Sequence, residues 1–300
     1  MSEAQTLTLA LHGDWRGSSG LAPCPICQPE GRRDQRALSI SERAGRLLLH
    51  CHKGGCAVFP ELQARDLIEG RGLQAASLDP SEVDRRRHQE HQKHAQRLAM
   101  CKGIFNQART CEGTIAETYL TKVRGIEGLR FNKLKNTLRF QGEALHSPSG
   151  KYLPAIIAQI RGTNGQELGI HRTYLLPDGS GKADVTPNKM MLGPSAGGAV
   201  RFGHGGPVIA LTEGIETALS VARASRLTVW ATLSTSGLRG LILPLPPVAE
   251  VVIICADNDE AGLSAAEGKA GQLEAEGRVV SIIQPPKAGD DFNDVLRGAK

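Results

Sequence analysis

Two groups of side chains in this sequence stand at spacings suited to holding metal ions. Four cysteines near the start form two close pairs, Cys24-Pro25-Ile26-Cys27 and Cys51-His52-Lys53-Gly54-Gly55-Cys56, separated by 23 residues that include an alternating, strand-like run. Two such knuckles on a small sheet can close a tetrahedron. In a structural role Zn²⁺ takes four soft ligands, at about 2.3 Å to sulfur, and its binding energy replaces a core that so short a segment cannot build. The second pair is wider than the first, so His50 and His52 stand as alternative ligands. Seven cysteines, an odd number, without a secretory signal argue against a disulfide framework. Cys101, Cys111 and Cys255 sit in apolar surroundings and read as buried thiols.

The second group is acidic. An apolar run at 208–211 leads into Thr212-Glu213-Gly214-Ile215-Glu216-Thr217, and another at 251–255 leads into Ala256-Asp257-Asn258-Asp259-Glu260-Ala261-Gly262; a helical stretch follows each. In open α/β sheets ligands bind at the C-terminal strand ends, so Glu213, Asp257 and Asp259 are candidates to converge on one spot. Three carboxylates packed together repel one another unless divalent cations lie among them. Hard oxygen donors of this kind suit Mg²⁺, which also takes substrate phosphates as ligands, so the chemistry that follows is metal-assisted phosphoryl or nucleotidyl transfer. The competing reading is that Asp257 and Asp259 are helix caps and Glu213 a turn acid. A third acidic stretch, Asp290-Asp291-Phe292-Asn293-Asp294, adds a further metal carboxylate at Asp291 or caps a last helix.

The elements that must position these groups fall into four segments. Residues 1–75 hold the cysteine pairs, and residues 76–121 read as a helical linker opening at Asp79-Pro80. Residues 122–205 break into short β-like runs (138–140, 153–161, 169–174) divided by Gly/Pro turns, which predicts a small antiparallel sheet. Residues 206–300 alternate strand candidates (208–211, 228–231, 251–255, 279–283) with helical stretches (216–224, 261–276), the α/β pattern of a parallel sheet. Charge is divided along the chain. Residues 122–201 carry 12 Lys/Arg against 5 Asp/Glu, whereas residues 206–300 carry 8 against 12. A basic surface beside an acidic, cation-holding site suits a polyanionic substrate, and a solvated basic face gives the same count.

Other features are set aside. His88, His91 and His94 recur every three residues, but on a segment polar all round, which reads as a solvated helix rather than a metal site. Gly179-Ser180-Gly181-Lys182 lacks the glycine spacing and following Ser/Thr of a Walker-type loop, so no P-loop motor is expected. Aromatics, at 4% of residues, are too few for wide base-stacking platforms. No apolar run approaches the roughly 20 residues that span a bilayer, and a cytoplasmic protein with no membrane partner is expected.

Thr212-Glu213-Gly214 after one strand and Asp257-Asn258-Asp259-Glu260-Ala261-Gly262 after another resemble the two signatures of the Toprim domain, shared by bacterial-type primases, topoisomerases and some nucleases. Upstream, Tyr119-Leu120 with Arg124-Gly125-Ile126, then Leu153-Pro154-Ala155, the run from Gly169 to Leu175, Gly181-Lys182-Ala183 and Lys189-Met190-Met191-Leu192-Gly193 resemble the segment preceding Toprim in phage- and plasmid-borne primase-like proteins. The cysteine segment is similar to the zinc-binding domain of such primases. The resemblance implies an α/β protein with a C-terminal, Rossmann-like Toprim domain, preceded by a small mixed α+β basic domain, a helical linker and an N-terminal zinc ribbon. It implies a DNA primase that copies single-stranded DNA from nucleoside triphosphates into short RNA. Structural Zn²⁺ on Cys24, Cys27, Cys51 and Cys56 and catalytic Mg²⁺ or Mn²⁺ on Glu213, Asp257 and Asp259 go with it. His171, Arg172, Lys182 and Lys189 then contact triphosphate or template, and a separate replicative helicase is the expected partner. A Toprim nuclease and a non-catalytic nucleic-acid-binding adaptor are the alternatives.

Overall fold

In a computed structural model, residues 2–31, 36–43, 46–68 and 80–298 are described, and the chain divides into two compact units, Met1–Val83 and Asp84–Lys300. The helix opening expected at Asp79 and the boundary expected between residues 75 and 76 lie outside the described residues.

The first unit comprises α1 (Glu3–Ala10), a four-stranded antiparallel sheet in the order β1 (Asp14–Arg16), β2 (Ser19–Ala22), β3 (Leu38–Arg43) and β4 (Arg46–Cys51), and α2 (Val58–Ala64). Ser2 caps α1, its hydroxyl accepting from the Gln5 N–H at 3.2 Å. Ala4 and Leu7 of α1, Leu38 and Ile40 of β3 and Leu62 of α2 form the centre of a small core. A core this size leaves a domain dependent on a further staple. The sequence reading did not foresee α1, β1 and β2, whose short polar runs carry little periodicity.

The second unit begins on α3 (Pro80–Gln107), followed by α4 (Ile115–Thr118), a π-helical turn (Tyr119–Val123) and α5 (Phe131–Leu134). Its strands are β5 (Leu138–His146), β6 (Lys151–Arg161), β7 (Glu167–Tyr174), β8 (Lys189–Leu192), β9 (Ala199–Phe202), β10 (Val208–Thr212), β11 (Thr228–Ala231), β12 (Val251–Cys255) and β13 (Val279–Ile283). Between the later strands run α6 (Ile215–Ser225), α7 (Thr235–Gly240) and α8 (Glu260–Ala275), and α9 (Phe292–Gly298) comes last. All nine strands belong to one sheet in the order β13-β12-β10-β11-β9-β6-β7-β8, with β5 paired to β6.

Half of this sheet is parallel. β10, β11 and β12 are short, nearly continuous apolar runs, as strands covered by helices must be, and β13 closes the edge as a largely exposed strand. The other half is antiparallel, as expected for residues 122–205, but it is not a separate sheet. β9 pairs antiparallel with β11 on one side and with the end of β6 on the other, at Ile160↔Val200 and Arg161↔Ala199. The β5 pairing stops at Leu138↔Ala158, so two strands share one edge of β6 end to end. Leu120, Ile156, Val200 and Ala218 pack in one core spanning both halves. Helix α3 enters this unit through Cys101 and Phe105, and the Arg139 guanidinium donates to the carbonyls of Phe105 and Ala108, holding its C-terminal end. His88, His91 and His94 are exposed on α3, as a solvated helix requires.

Candidate active site and metal centre

β10 and β12 are neighbours and end in register, Thr212 beside Cys255. Glu213 and Asp257 therefore leave the sheet at the same edge, one and two residues later. The loop after β10 is clasped by the loop after β11: the Thr232 and Leu233 N–H groups donate to the Thr212 and Glu213 carbonyls at 2.9 and 2.8 Å. Leu233 adopts a left-handed φ of 73° to do so, a conformation costly for a leucine. The loop after β12 is braced by the 285–290 segment: Asn258 N–H donates to the Asp290 carbonyl at 3.0 Å, Gly289 N–H to the Asn258 carbonyl at 2.7 Å, and the Asn258 amide to the Pro285 carbonyl at 2.8 Å.

Asp259 is the N-cap of α8, its carboxylate accepting from the Gly262 N–H at 2.7 Å. A Cβ at residue 262 would stand 2.7 Å from the Asp257 carbonyl, so only glycine lets the helix start this close to the acidic loop. Asp257 is different. Its Oδ1 is buried with no hydrogen-bond partner. Burial first, then the neighbouring carboxylates of Glu213, Asp291 and Asp259, push its carboxyl up to about 7. Glu213 is raised as well, by burial and by Asp259. An acid that lacks a donor and is crowded by other acids favours positive charge beside it, and carboxylates are the hard donors that Mg²⁺ or Mn²⁺ takes. The residue types suit such an ion, but the oxygens of Glu213, Asp257 and Asp259 are not gathered within 4.8 Å of one another as the four sulfurs of the first unit are. Asp291 borders the group but is engaged elsewhere: it accepts from the Asn293 and Asp294 N–H groups at 2.6 and 3.0 Å and lies 3.7 Å from Arg124.

A second cluster lies on the same unit. Lys182 follows a tight turn against α4, where Gly179, at φ 72°, has room for no Cβ beside the Ile115 carbonyl. Lys189 opens β8 and pairs with Thr173 of β7. Both ammonium groups reach the carboxylate of Glu216, in the first turn of α6: Lys182 Nζ lies 3.4 Å from Oε1 and Lys189 Nζ 3.5 Å from Oε2. Five strand spacings separate β8 from β10, roughly 24 Å in a flat sheet. The sheet must therefore curl strongly for β8 to meet the helix that follows β10. The Tyr119 hydroxyl, from the π-helical turn, donates to Glu216 Oε1 at 2.8 Å. Burial would raise the Glu216 carboxyl, but Lys189, Lys182 and Tyr119 hold it well below the usual carboxylate range. His171 is buried on the side of β7 that faces this cluster; burial, then Lys189, pull its imidazole down to about 4, so it is neutral at physiological pH.

Of the four residues assigned by sequence to triphosphate or template, three thus gather at one place. Arg172 is not among them. Strand alternation turns it to the opposite face, where it donates to the Leu145 carbonyl at 3.1 Å and lies over the Tyr174 ring. Glu216 and Tyr119 had no assigned role. The only sequence signal for Glu216 was a charged residue among the apolar positions of α6, between Ile215 and Ala218.

In the first unit Cys24 and Cys27 follow β2, Cys51 ends β4, and Cys56 precedes α2. Their four sulfurs lie within 4.8 Å of one another, the only such grouping of three or more His, Cys, Asp or Glu donor atoms among the described residues. Cys27 Sγ and Cys51 Sγ are 3.6 Å apart. Burial would push the Cys51 thiol up, but backbone N–H groups of Gly54, Cys56 and Lys53 bring it down to about 6, favouring the thiolate that a metal binds. His50 and His52 stack edge to face on each other and stay outside the thiol group. The residues fit zinc with four sulfur ligands. Cys101, Cys111 and Cys255 are buried, as expected.

Among the described residues no helix is long and apolar enough to cross a membrane. Compared with known proteins, residues 95–202 match the family model of a domain of unknown function, and residues 208–299 match that of the Toprim domain. No curated protein matches the sequence. Several solved structures resemble the chain at low identity. A DNA primase domain from Pseudomonas aeruginosa is 17% identical over 67% of this chain and 74% of its own, with a TM-score of 0.43. The zinc-binding and RNA polymerase domains of the Aquifex aeolicus primase are 14% identical over 99% of this chain and 80% of theirs, with a TM-score of 0.45. A DnaG primase catalytic domain bound to single-stranded DNA is 15% identical over 69% of this chain and 78% of its own, also at 0.45.

Proposed function

Residues 208–299 being a Toprim domain, we propose that this protein is a DNA primase, which starts short RNA primers on single-stranded DNA by metal-dependent nucleotidyl transfer. The observation that carries the reading is Asp257: a buried carboxylate oxygen without a donor, crowded by acids, on the unit that also holds the Lys182 and Lys189 ammonium groups. Joining nucleotides requires both a place for divalent cations and positive charge for triphosphates.

Asp257 and Asp259, with Glu213 as a further ligand or as the general base, would hold Mg²⁺ or Mn²⁺, which when bound would neutralise the triphosphate and polarise its phosphoryl oxygens. Lys182 and Lys189 bind the triphosphate tail. The attacking 3′-hydroxyl oxygen forms a bond to the α-phosphorus of the incoming nucleotide, the bond to pyrophosphate breaks, and the hydroxyl proton is released, to Glu213 where Glu213 acts as general base rather than as metal ligand. Neutral His171 offers a hydrogen bond without adding charge. The first unit, with zinc on its four thiolates, grips the template, and a separate replicative helicase supplies the unwound strand.

The test combines single-stranded DNA, labelled nucleoside triphosphates and Mg²⁺ or Mn²⁺. New short RNA that depends on template and metal supports the reading. Shortened DNA would make the protein a nuclease, and a mobility shift with neither product would make it an adaptor.

A further inference from the structure

The second cluster contains a group for which nucleotide transfer itself has no chemical use: a fully buried carboxylate. Glu216 is 3% exposed, yet it is ionised and bears one ammonium group on each of its oxygens. Burying a charge costs several kcal/mol unless partners repay it, so its position calls for a physical reason. We propose that Glu216 is a positioning residue of the nucleotide site, its carboxylate holding the Lys182 and Lys189 ammonium groups in place to receive a triphosphate. This rests on the primase reading and extends it to a residue that touches neither metal nor nucleotide.

Three observations support it. First, the lysines need an anion. They come from a turn and from an edge strand, they are both partly buried, and no other carboxylate lies within ion-pair distance of either ammonium among the described residues. Without Glu216 they would repel each other, and His171 and Arg124 close by would add no negative charge. Burial already lowers the proton affinity of Lys182, Lys189 and Arg124 lower it further, and Glu216 opposes them.

Second, the contacts are loose where a ligand must enter and tight where it need not. Charge-assisted N–H···O bonds close to about 2.7–2.9 Å. The lysine contacts stand at 3.4 and 3.5 Å, while the Tyr119 hydroxyl fixes the carboxylate at 2.8 Å. The ammonium groups are held by charge but keep donors for phosphate oxygens. Third, Glu216 is anchored in the helix that begins just after Glu213, so one short segment sets both one of the proposed metal acids, Glu213, and the lysine pair. The groups facing the lysines are Glu216 from α6, Tyr119 and Arg124 at the π-helical turn and its end, and His171 from β7, with Glu213 and Asp257 beyond.

The experiment uses the full chain and Glu216→Gln, which keeps the shape and an acceptor for Tyr119 but removes the charge. The Michaelis constant for nucleoside triphosphate should rise about tenfold while kcat changes less than about threefold. Because Lys182 then loses the carboxylate that favours its protonated form, the alkaline limb of 1/KM against pH should move towards neutral. Glu216→Asp should restore most of the wild-type behaviour. A merely structural role would lower kcat and thermal stability together and leave the alkaline limb in place, and this result overturns the proposal, as does an unchanged or lower KM. If Glu216→Gln does not fold, Tyr119→Phe decides: a KM raised about threefold at unchanged kcat supports the proposal, and wild-type kinetics refute it. Wild-type protein that makes no primers and binds no ATP refutes the primase reading instead, which separates the two failures.

Discussion

Asp257→Asn provides a test in which folding and function should move in opposite directions. In the metal-free protein the Asp257 carboxyl is raised from 3.8 to about 7, first by burial and then by Glu213, Asp291 and Asp259. An unfolded chain ionises this group above pH 3.8, whereas the folded chain resists ionisation until pH 7, so its presence costs stability progressively across that window and fully above it. At about 1.4 kcal/mol per pH unit the formal cost is about 4 kcal/mol, and because the loop is partly open to solvent about half of that, ~2 kcal/mol, should be realised. Removing the charge should therefore stabilise the protein at pH 8 by about 4–8 °C in Tm, with the difference vanishing towards pH 4. Fluorescence of Trp230, fully buried in the second unit, reports the transition in a Trp15→Phe background, in buffer free of magnesium and manganese but without chelator, so that zinc is retained. His171 makes stability fall on the acid side, but it does so equally in both proteins and cancels in the difference. Adding Mg²⁺ should raise the wild-type Tm and leave the variant unmoved, while primer synthesis falls at least about 10²-fold. A variant destabilised equally at pH 5 and pH 8 would mean that Asp257 is held by partners within the protein and is not poised to take a cation.

Further outcomes follow from the same geometry. Protein purified without added metal should contain close to one equivalent of zinc by elemental analysis, and Cys27→Ser or Cys51→Ser should release it; a metal-free preparation that melts normally would refute the site. Asp259→Ala should cost about 1 kcal/mol in urea unfolding through loss of the α8 cap, and Asp259→Asn much less, since asparagine caps equally well; equal losses of activity in both would assign the activity to charge and the stability to the cap. His171, with its imidazole near 4, should make the protein lose up to about 3 kcal/mol as pH falls from 6.5 to 4, because the unfolded chain takes up the proton first. His171→Gln should flatten that limb, and parallel curves would contradict its burial as a neutral ring.

The strands carrying the acids were legible because they are apolar runs that end in turn residues: three of the expected runs, 228–231, 251–255 and 279–283, match β11, β12 and β13 to the residue. The thiol pairs were legible because their spacing is chemistry in itself, and the structure gathers all four sulfurs without help from His50 or His52. What escaped was long-range. That Asp259 caps a helix while Asp257 stays bare depends on which carboxylate meets the Gly262 N–H, which spacing two apart does not decide. Likewise, Arg172 and His171 are adjacent in sequence but face opposite sides of β7, and only the pairing of β7 with β8 tells which side holds the lysines. Glu216 was hidden because a helix-turn acid normally reads as solvated, and its burial comes from a tyrosine and two lysines distant in sequence.

The strand β9 has a mechanical consequence. The acids belong to the parallel half of the sheet and the lysine pair to the antiparallel half, and hydrogen bonds through β9 run unbroken from one to the other. Enzymes that close two lobes on a substrate need a seam along which the lobes can part, and a hydrogen-bonded sheet offers none. The span between the acidic loops and the lysine pair is therefore set at folding, like the gap of a fixed gauge. Any adjustment of that span must come from long lysine side chains and from the loops, not from the frame. The same weld means that excising residues 208–299 would leave the β11 edge that β9 covers open to pairing with other chains, so the acidic half should be handled together with the strand that precedes it.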